Sequence, residues 1–252
     1  MTKNVLEAVD KARELFEIEG FPSDFFMRLE KVDYIKKYKF LLFKEDIDKL
    51  SGFIGYGAND MAVICVNYKR SQGHQNFTLA HEVGHWFLHK GKSISDDDRV
   101  LGYSSDRVEK EANEFAGELL YPEKYLVEDY YAAIQQDLFL TENRKKLGQY
   151  VNELCHKYCL SFETVLRRLL YKNRQVKQYS KIRKEIEKAL GGKISDSFDR
   201  DFYIVNESLP QYQKFMKPYK ELEKKIDYLV ENGKIGKATG ESIKLRNRAR
   251  ID

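Results

Sequence analysis

Two histidines and a glutamate stand within five residues of one another, His81-Glu82-Val83-Gly84-His85. On a helix, residues four apart share a face with their Cβ atoms ~5–6 Å apart, so both imidazoles can converge on one metal ion. Glu82 then points beside that ion and can take a proton from water. A bound zinc ion lowers the pKa of such water toward ~7, which makes hydroxide available at neutral pH. The flanking residues Phe77, Ala80, Val83, Phe87 and Leu88 give the same helix an apolar face. That pattern distinguishes it from a surface helix that happens to carry two histidines.

Catalytic zinc takes three protein ligands and keeps a fourth position open. The extension H-E-x-x-H-x-x-G-x-x-H would need glycine at position 88 and histidine at position 91, where Leu88 and Gly91 stand. The third ligand is therefore expected from the later segment VEKEANEFAGELLYP. At ~100° per residue, Val108, Ala112, Phe115, Ala116, Leu119 and Leu120 form its inward stripe, and Glu109 lies within that sector. Glu111, Glu114 and Glu118 are expected on the solvent side. Asn113, one turn beyond Glu109, is placed to hold a ligand histidine through its second ring nitrogen. A tetrahedral intermediate also needs an oxyanion donor, for which Tyr103 is a candidate. His89 continues the histidine face and reads as a polar contact at the helix end, and His74 as a loop residue. Cys155, His156 and Cys159 imitate a metal cluster, but their spacing with Val151, Leu154 and Tyr158 is that of a packed helix face.

The elements that must position these groups fall into two halves. Residues 1–20 read as an amphipathic helix ended by Gly20 and Pro22. KFLLF, GFIGYG and MAVICVN are short apolar runs broken by Gly, Asn and Asp, the pattern of a small sheet. A helix beginning near Phe77 follows, then a polar loop GKSISDDDRVLGYSSD, then a helix from about Arg107 to Leu120 that stops before Pro122. Beyond it the chain is helical almost throughout, with breaks at Pro210 and Pro218. The fold class is therefore α+β, a mixed N-terminal half followed by an all-helical region. The 252 residues carry 42% hydrophobic and 33% charged side chains, which suits a packed core. No stretch approaches the ~20 apolar residues that span a bilayer. Three cysteines make a poor disulfide framework, and the expected compartment is the reducing cytoplasm.

FTLAHEVGHWFLH, followed after a loop by Glu109–Asn113 (ExxAN) and FAGELLYP, resembles the ImmA/IrrE family of metallo-endopeptidases. The likeness covers roughly residues 30–125. It implies a compact zincin-like domain with zinc held by His81, His85 and Glu109. It also implies substrates of the helix-turn-helix repressor or antitoxin type, encoded nearby and often on mobile elements. In zincins the strand before the metal helix commonly receives the substrate, which makes Met61–Asn67 the implied docking edge. The family often has arginine just before the phenylalanine of FTLAHE, where Asn76 stands here.

The expected partition is 1–125 for the peptidase domain, 126–175 for a helix-turn-helix-like segment and 176–252 for a helical region of unassigned role. LGQYVNELCHKYCLSFETVLRRLLY reads as two helices joined at Leu160-Ser161, with Ser161 as an N-cap. Asn232-Gly233 reads as the turn of a C-terminal helical hairpin. Net charge is +4, with basic residues concentrated from Arg167 to Lys188. If that segment bound DNA, Arg167 and Arg168 would contact phosphates or bases, although packing on the catalytic domain explains the same pattern. The competing function is a regulator that binds a partner protein or DNA with latent or absent peptidase activity.

Overall fold

The computed structural model describes residues 1–30, 40–56, 61–90, 94–97, 106–214 and 217–248. The first helix, α1 (Lys3–Phe16), starts where the Thr2 hydroxyl accepts the Val5 amide at 3.4 Å. It buries Val5, Ala8, Val9, Ala12 and Phe16, spaced three and four apart, as an amphipathic helix must. A short helix, α2 (Phe25–Glu30), leads to strands β1 (Phe40–Glu45), β2 (Leu50–Tyr56) and β3 (Ala62–Asn67). The metal-motif helix α3 (Gln72–Leu88), a short strand β4 (Ile94–Asp97) and helix α4 (Arg107–Leu120) follow.

The sheet order is β1-β3-β2-β4. β1 runs parallel to β3, and β2 is antiparallel to both β3 and β4. Phe40, Leu42, Ile54, Ala62, Ile64 and Val66 are buried in one cluster with Leu79, Ala80 and Val83 of α3. This layout corrects the sequence reading twice. The polar stretch expected to be a loop contains β4, because an edge strand needs only one neighbour and tolerates polar residues. β3 is an interior strand paired on both sides, so Met61–Asn67 offers no free edge to a substrate.

α3 starts at Gln72, five residues before the expected Phe77. Tertiary hydrogen bonds hold this polar first turn, overriding its weak propensity. Gln75 donates to the Tyr68 and Arg70 carbonyls at 3.0 and 2.8 Å. Asn76 accepts from the Phe25 amide at 2.7 Å and donates to the Ser23 and Cys159 carbonyls at 3.2 and 3.0 Å. His74, expected in a loop, lies in this turn with Nε2 3.1 Å from Ser51 Oγ.

The remaining chain folds as α5 (Glu123–Gln135), α6 (Arg144–Tyr158), α7 (Phe162–Lys172), α8 (Tyr179–Leu190), α9 (Ile194–Ser197), α10 (Arg200–Tyr203), α11 (Lys217–Glu231) and α12 (Lys237–Arg248). α6 ends at Cys159 in the left-handed conformation, and the Ser161 hydroxyl caps α7 by accepting the Thr164 amide at 3.2 Å. This turn lies so close to α3 that a Cβ on Gly73 would stand 2.3 Å from the Leu160 backbone. The helical pair thus abuts the start of the metal helix. Asp129 ties α5 to α6 by accepting hydrogen bonds from the Tyr121 and Tyr158 hydroxyls at 3.0 and 2.6 Å and from Lys157 at 3.1 Å. α11 covers the opposite sheet face, where Tyr219 meets Phe43 edge-on at 5.3 Å. Among the described residues no helix is long and apolar enough to cross a membrane.

Candidate metal centre

Helix α3 is buried around its whole circumference over the motif, with His81, Glu82 and His85 at 0% exposure. The expected apolar face is present at Ala80 and Val83, whereas Phe77, Phe87 and Leu88 are only partly covered. The motif histidines face α4. Close approach of the two helices depends on Gly84, where a Cβ would lie 3.0 Å from the Phe115 ring and 3.3 Å from Ala112 Cα.

This approach brings Glu109 to the histidines. Glu109 Oε2 lies 3.2 Å from His81 Nε2 and 3.5 Å from His85 Nε2, and the two Nε2 atoms are 3.0 Å apart. With metal–ligand bonds of about 2.0–2.1 Å, tetrahedral zinc separates its ligand atoms by about 3.3 Å. The three observed separations bracket that value, so the donor set fits the ion in both chemistry and spacing. Among the described residues these three form the group of His, Cys, Asp or Glu able to share a metal. Burial acts to raise the Glu109 pKa, but hydrogen bonds and charge from His81 and His85 outweigh it and hold the carboxyl well below the ordinary range.

The surroundings orient the donors. Asn113 Oδ1 lies 3.1 Å from His81 Nδ1, the nitrogen turned away from the ligand cluster. Glu82 packs beneath β2, where a Cβ on Gly52 would come within 3.0 Å of Glu82 Oε1 and 2.5 Å of Thr78 Cγ2. Glycine at position 52 is thus what gives the Glu82 carboxylate room against the sheet. Tyr103 lies outside the described residues.

The expectations for two α4 carboxylates change. Glu118 is buried rather than solvent-facing, because α4 packs on α1 as well as on α3. Its Oε2 accepts the Glu123 amide at 3.0 Å, and burial raises its pKa. Glu111 is also turned inward, toward His89. Cys155 and Cys159 are buried free thiols, while His156 is exposed and lies 4.4 Å from the Phe202 ring. Arg168 is drawn into the fold and donates to the Tyr121 carbonyl at 2.8 Å. Arg167 pairs with Glu163 at 2.7 Å and covers the Tyr179 ring. The sequence reading missed the spacing roles of Gly52, Gly73 and Gly84, and its one available signal was a glycine inside the motif itself.

The sequence model of a family described as the IrrE N-terminal-like domain matches residues 36–170, more than half of the chain. Metallopeptidase ImmA of Bacillus subtilis (strain 168) is 33% identical over 91 residues, which are 36% of this chain and 53% of ImmA. The match therefore spans about half the length of that relative.

Proposed function

Because the chain belongs to the IrrE N-terminal-like peptidase family, we propose that it is a zinc-dependent endopeptidase. The observation that carries this reading is the convergence of His81 Nε2, His85 Nε2 and Glu109 Oε2 at tetrahedral spacing beside a buried Glu82. A zinc ion held by the three would polarise the scissile carbonyl and lower the pKa of water toward ~7. Glu82 takes the proton from the attacking water and returns it to the leaving amine. Asn113 keeps His81 in one ring orientation.

The substrate backbone docks on β4 in this reading. Among the described residues β4 pairs with β2 alone, and Gly52, the residue over Glu82, is in register with Asp96 of β4. An extended peptide added there would pass close to Glu82. The substrate class proposed is a helix-turn-helix repressor or antitoxin-type regulator met in the cytoplasm. The test is Glu82→Gln, which should keep stoichiometric zinc by elemental analysis and stop cleavage of such a regulator co-expressed with it. Wild-type cleavage by that variant would sink the mechanism.

One observation favours a second reading, a regulator that binds DNA. Arg174, Lys177, Lys184 and Lys188 are exposed, and among the described residues no carboxylate pairs with them. A zinc-free protein that binds duplex DNA, with affinity falling steeply in salt, would select it.

A further inference from the structure

The two ligand histidines are not held alike. His81 Nδ1 meets an amide oxygen, that of Asn113, whereas His85 Nδ1 lies 2.9 Å from another ring nitrogen, His89 Nδ1. Two such nitrogens make a hydrogen bond only if one carries the proton and the other does not. His89 Nε2 in turn lies 3.3 Å from Glu111 Oε2, and Arg107 Nε donates to Glu111 Oε1 at 2.9 Å. His89 is buried and the Arg107 side chain is 86% exposed, so this relay runs from the ligand cluster to the surface.

We propose that His89 is a positioning residue for His85, locked in turn by Glu111 and Arg107, so that α4 orients both ligand histidines as well as supplying Glu109. The inference rests on the metal reading above, and from that point the proton assignment is forced. When His85 presents the Nε2 lone pair to zinc, its proton sits on Nδ1 and is donated to His89 Nδ1. His89 must then carry its own proton on Nε2, where the Glu111 carboxylate accepts it. Arg107 occupies the other carboxylate oxygen and aims the first one at His89. No group in the chain is asked for a donor or an acceptor it lacks. His81 and His85 lie one turn apart on α3 and His89 is the residue that ends it, its amide still donating to the His85 carbonyl, so the third histidine falls within reach of the second. It stands too far along the helix to join the ligand cluster, and its nitrogens are absent from it.

The test is zinc affinity, measured by competition with a chromophoric chelator, and histidine tautomers, read from long-range proton–nitrogen spectra of the zinc-loaded full chain. His89→Phe keeps the ring volume and removes the acceptor, and should weaken zinc binding roughly ten- to hundred-fold. His89→Gln can accept from His85 and donate to Glu111, and should restore affinity to within about threefold of wild type. His89 of the wild-type protein should show the tautomer protonated at Nε2. Wild-type affinity in His89→Phe, or a proton on His89 Nδ1, overturns the proposal. The tautomer measurement needs no variant and so decides even if His89→Phe fails to fold. If the wild-type chain binds no zinc, or His81→Ala loses none, the metal reading itself has failed and this proposal falls with it.

Discussion

Gly84→Ala separates two effects of opposite sign. Gly84 has no left-handed backbone angle and sits inside a 17-residue helix, so local propensity alone favours alanine by about 1 kcal/mol. The added methyl, however, would stand 3.0 and 3.2 Å from Phe115 ring atoms and 3.3 Å from Ala112 Cα, where relaxed carbon contacts lie at about 3.5–4.0 Å. Phe115 is fully buried and stacked on Phe87 at 5.8 Å, so the ring has little room to turn. α4 must therefore retreat by about half an ångström, at an overpacking cost of about 1–3 kcal/mol. The net loss of zinc-free stability is then between zero and about 2 kcal/mol. The larger consequence falls on the site, because Glu109 and Asn113 move with Ala112 while the histidines stay on α3. Zinc affinity should drop about tenfold, equivalent to about 1.4 kcal/mol. Urea unfolding of the zinc-free protein and chelator competition measure the two quantities separately. If stability rose by the full propensity gain with unchanged zinc affinity, close approach at Gly84 would not be what builds the site.

Asp129→Ala should cost about 3 kcal/mol in urea unfolding, since it leaves the Tyr121 and Tyr158 hydroxyls buried without their shared acceptor. A loss below about 1 kcal/mol would mean the α5–α6 clamp is replaced by water or by another partner. Burial pushes the Cys65 and Cys155 thiols up to about 12 and raises Cys159 as well, so the native protein at pH 8 should react with no equivalent of a disulfide reagent and with three after denaturation. One thiol that reacts stoichiometrically on mixing with the native protein would show that this packing is wrong.

What could be read in advance followed from periodicity. The α4 boundaries, the three apolar strands and the inward place of Glu109 all come from patterns that need no partner to be visible. Asn113 is legible in the same way, one turn from Glu109 on the same edge. What escaped was set by partners distant in sequence. The polar first turn of α3 exists because Asn76 bonds to Phe25, Ser23 and Cys159, none of them local. The edge strand Ile94–Asp97 has no apolar alternation, since its pairing is backbone to backbone. Periodicity puts Glu118 on the solvent side because it sees one packing face of a helix, whereas α1 supplies a second neighbour. The strand order cannot be read from strand positions along the chain, which is why β3, expected to offer an edge, lies inside the sheet.

The proposed chemistry is placed on a helix that is enclosed over its motif, with His81, Glu82 and His85 fully buried. Burying imidazoles costs stability unless each nitrogen finds a partner. Here α4 meets that cost for both motif histidines, through Glu109 at the Nε2 atoms, Asn113 at His81 and Glu111 by way of His89. The same contacts hold the rings in place, so in the proposed reading the requirement that stabilises the α3–α4 pair also prepares a metal site. In the proposed reading, the position of α4 and the affinity for metal are therefore coupled. A substitution on the buried side of α4 that weakens zinc should loosen its packing on α3, whereas one on the exposed side, at Lys110, should do neither.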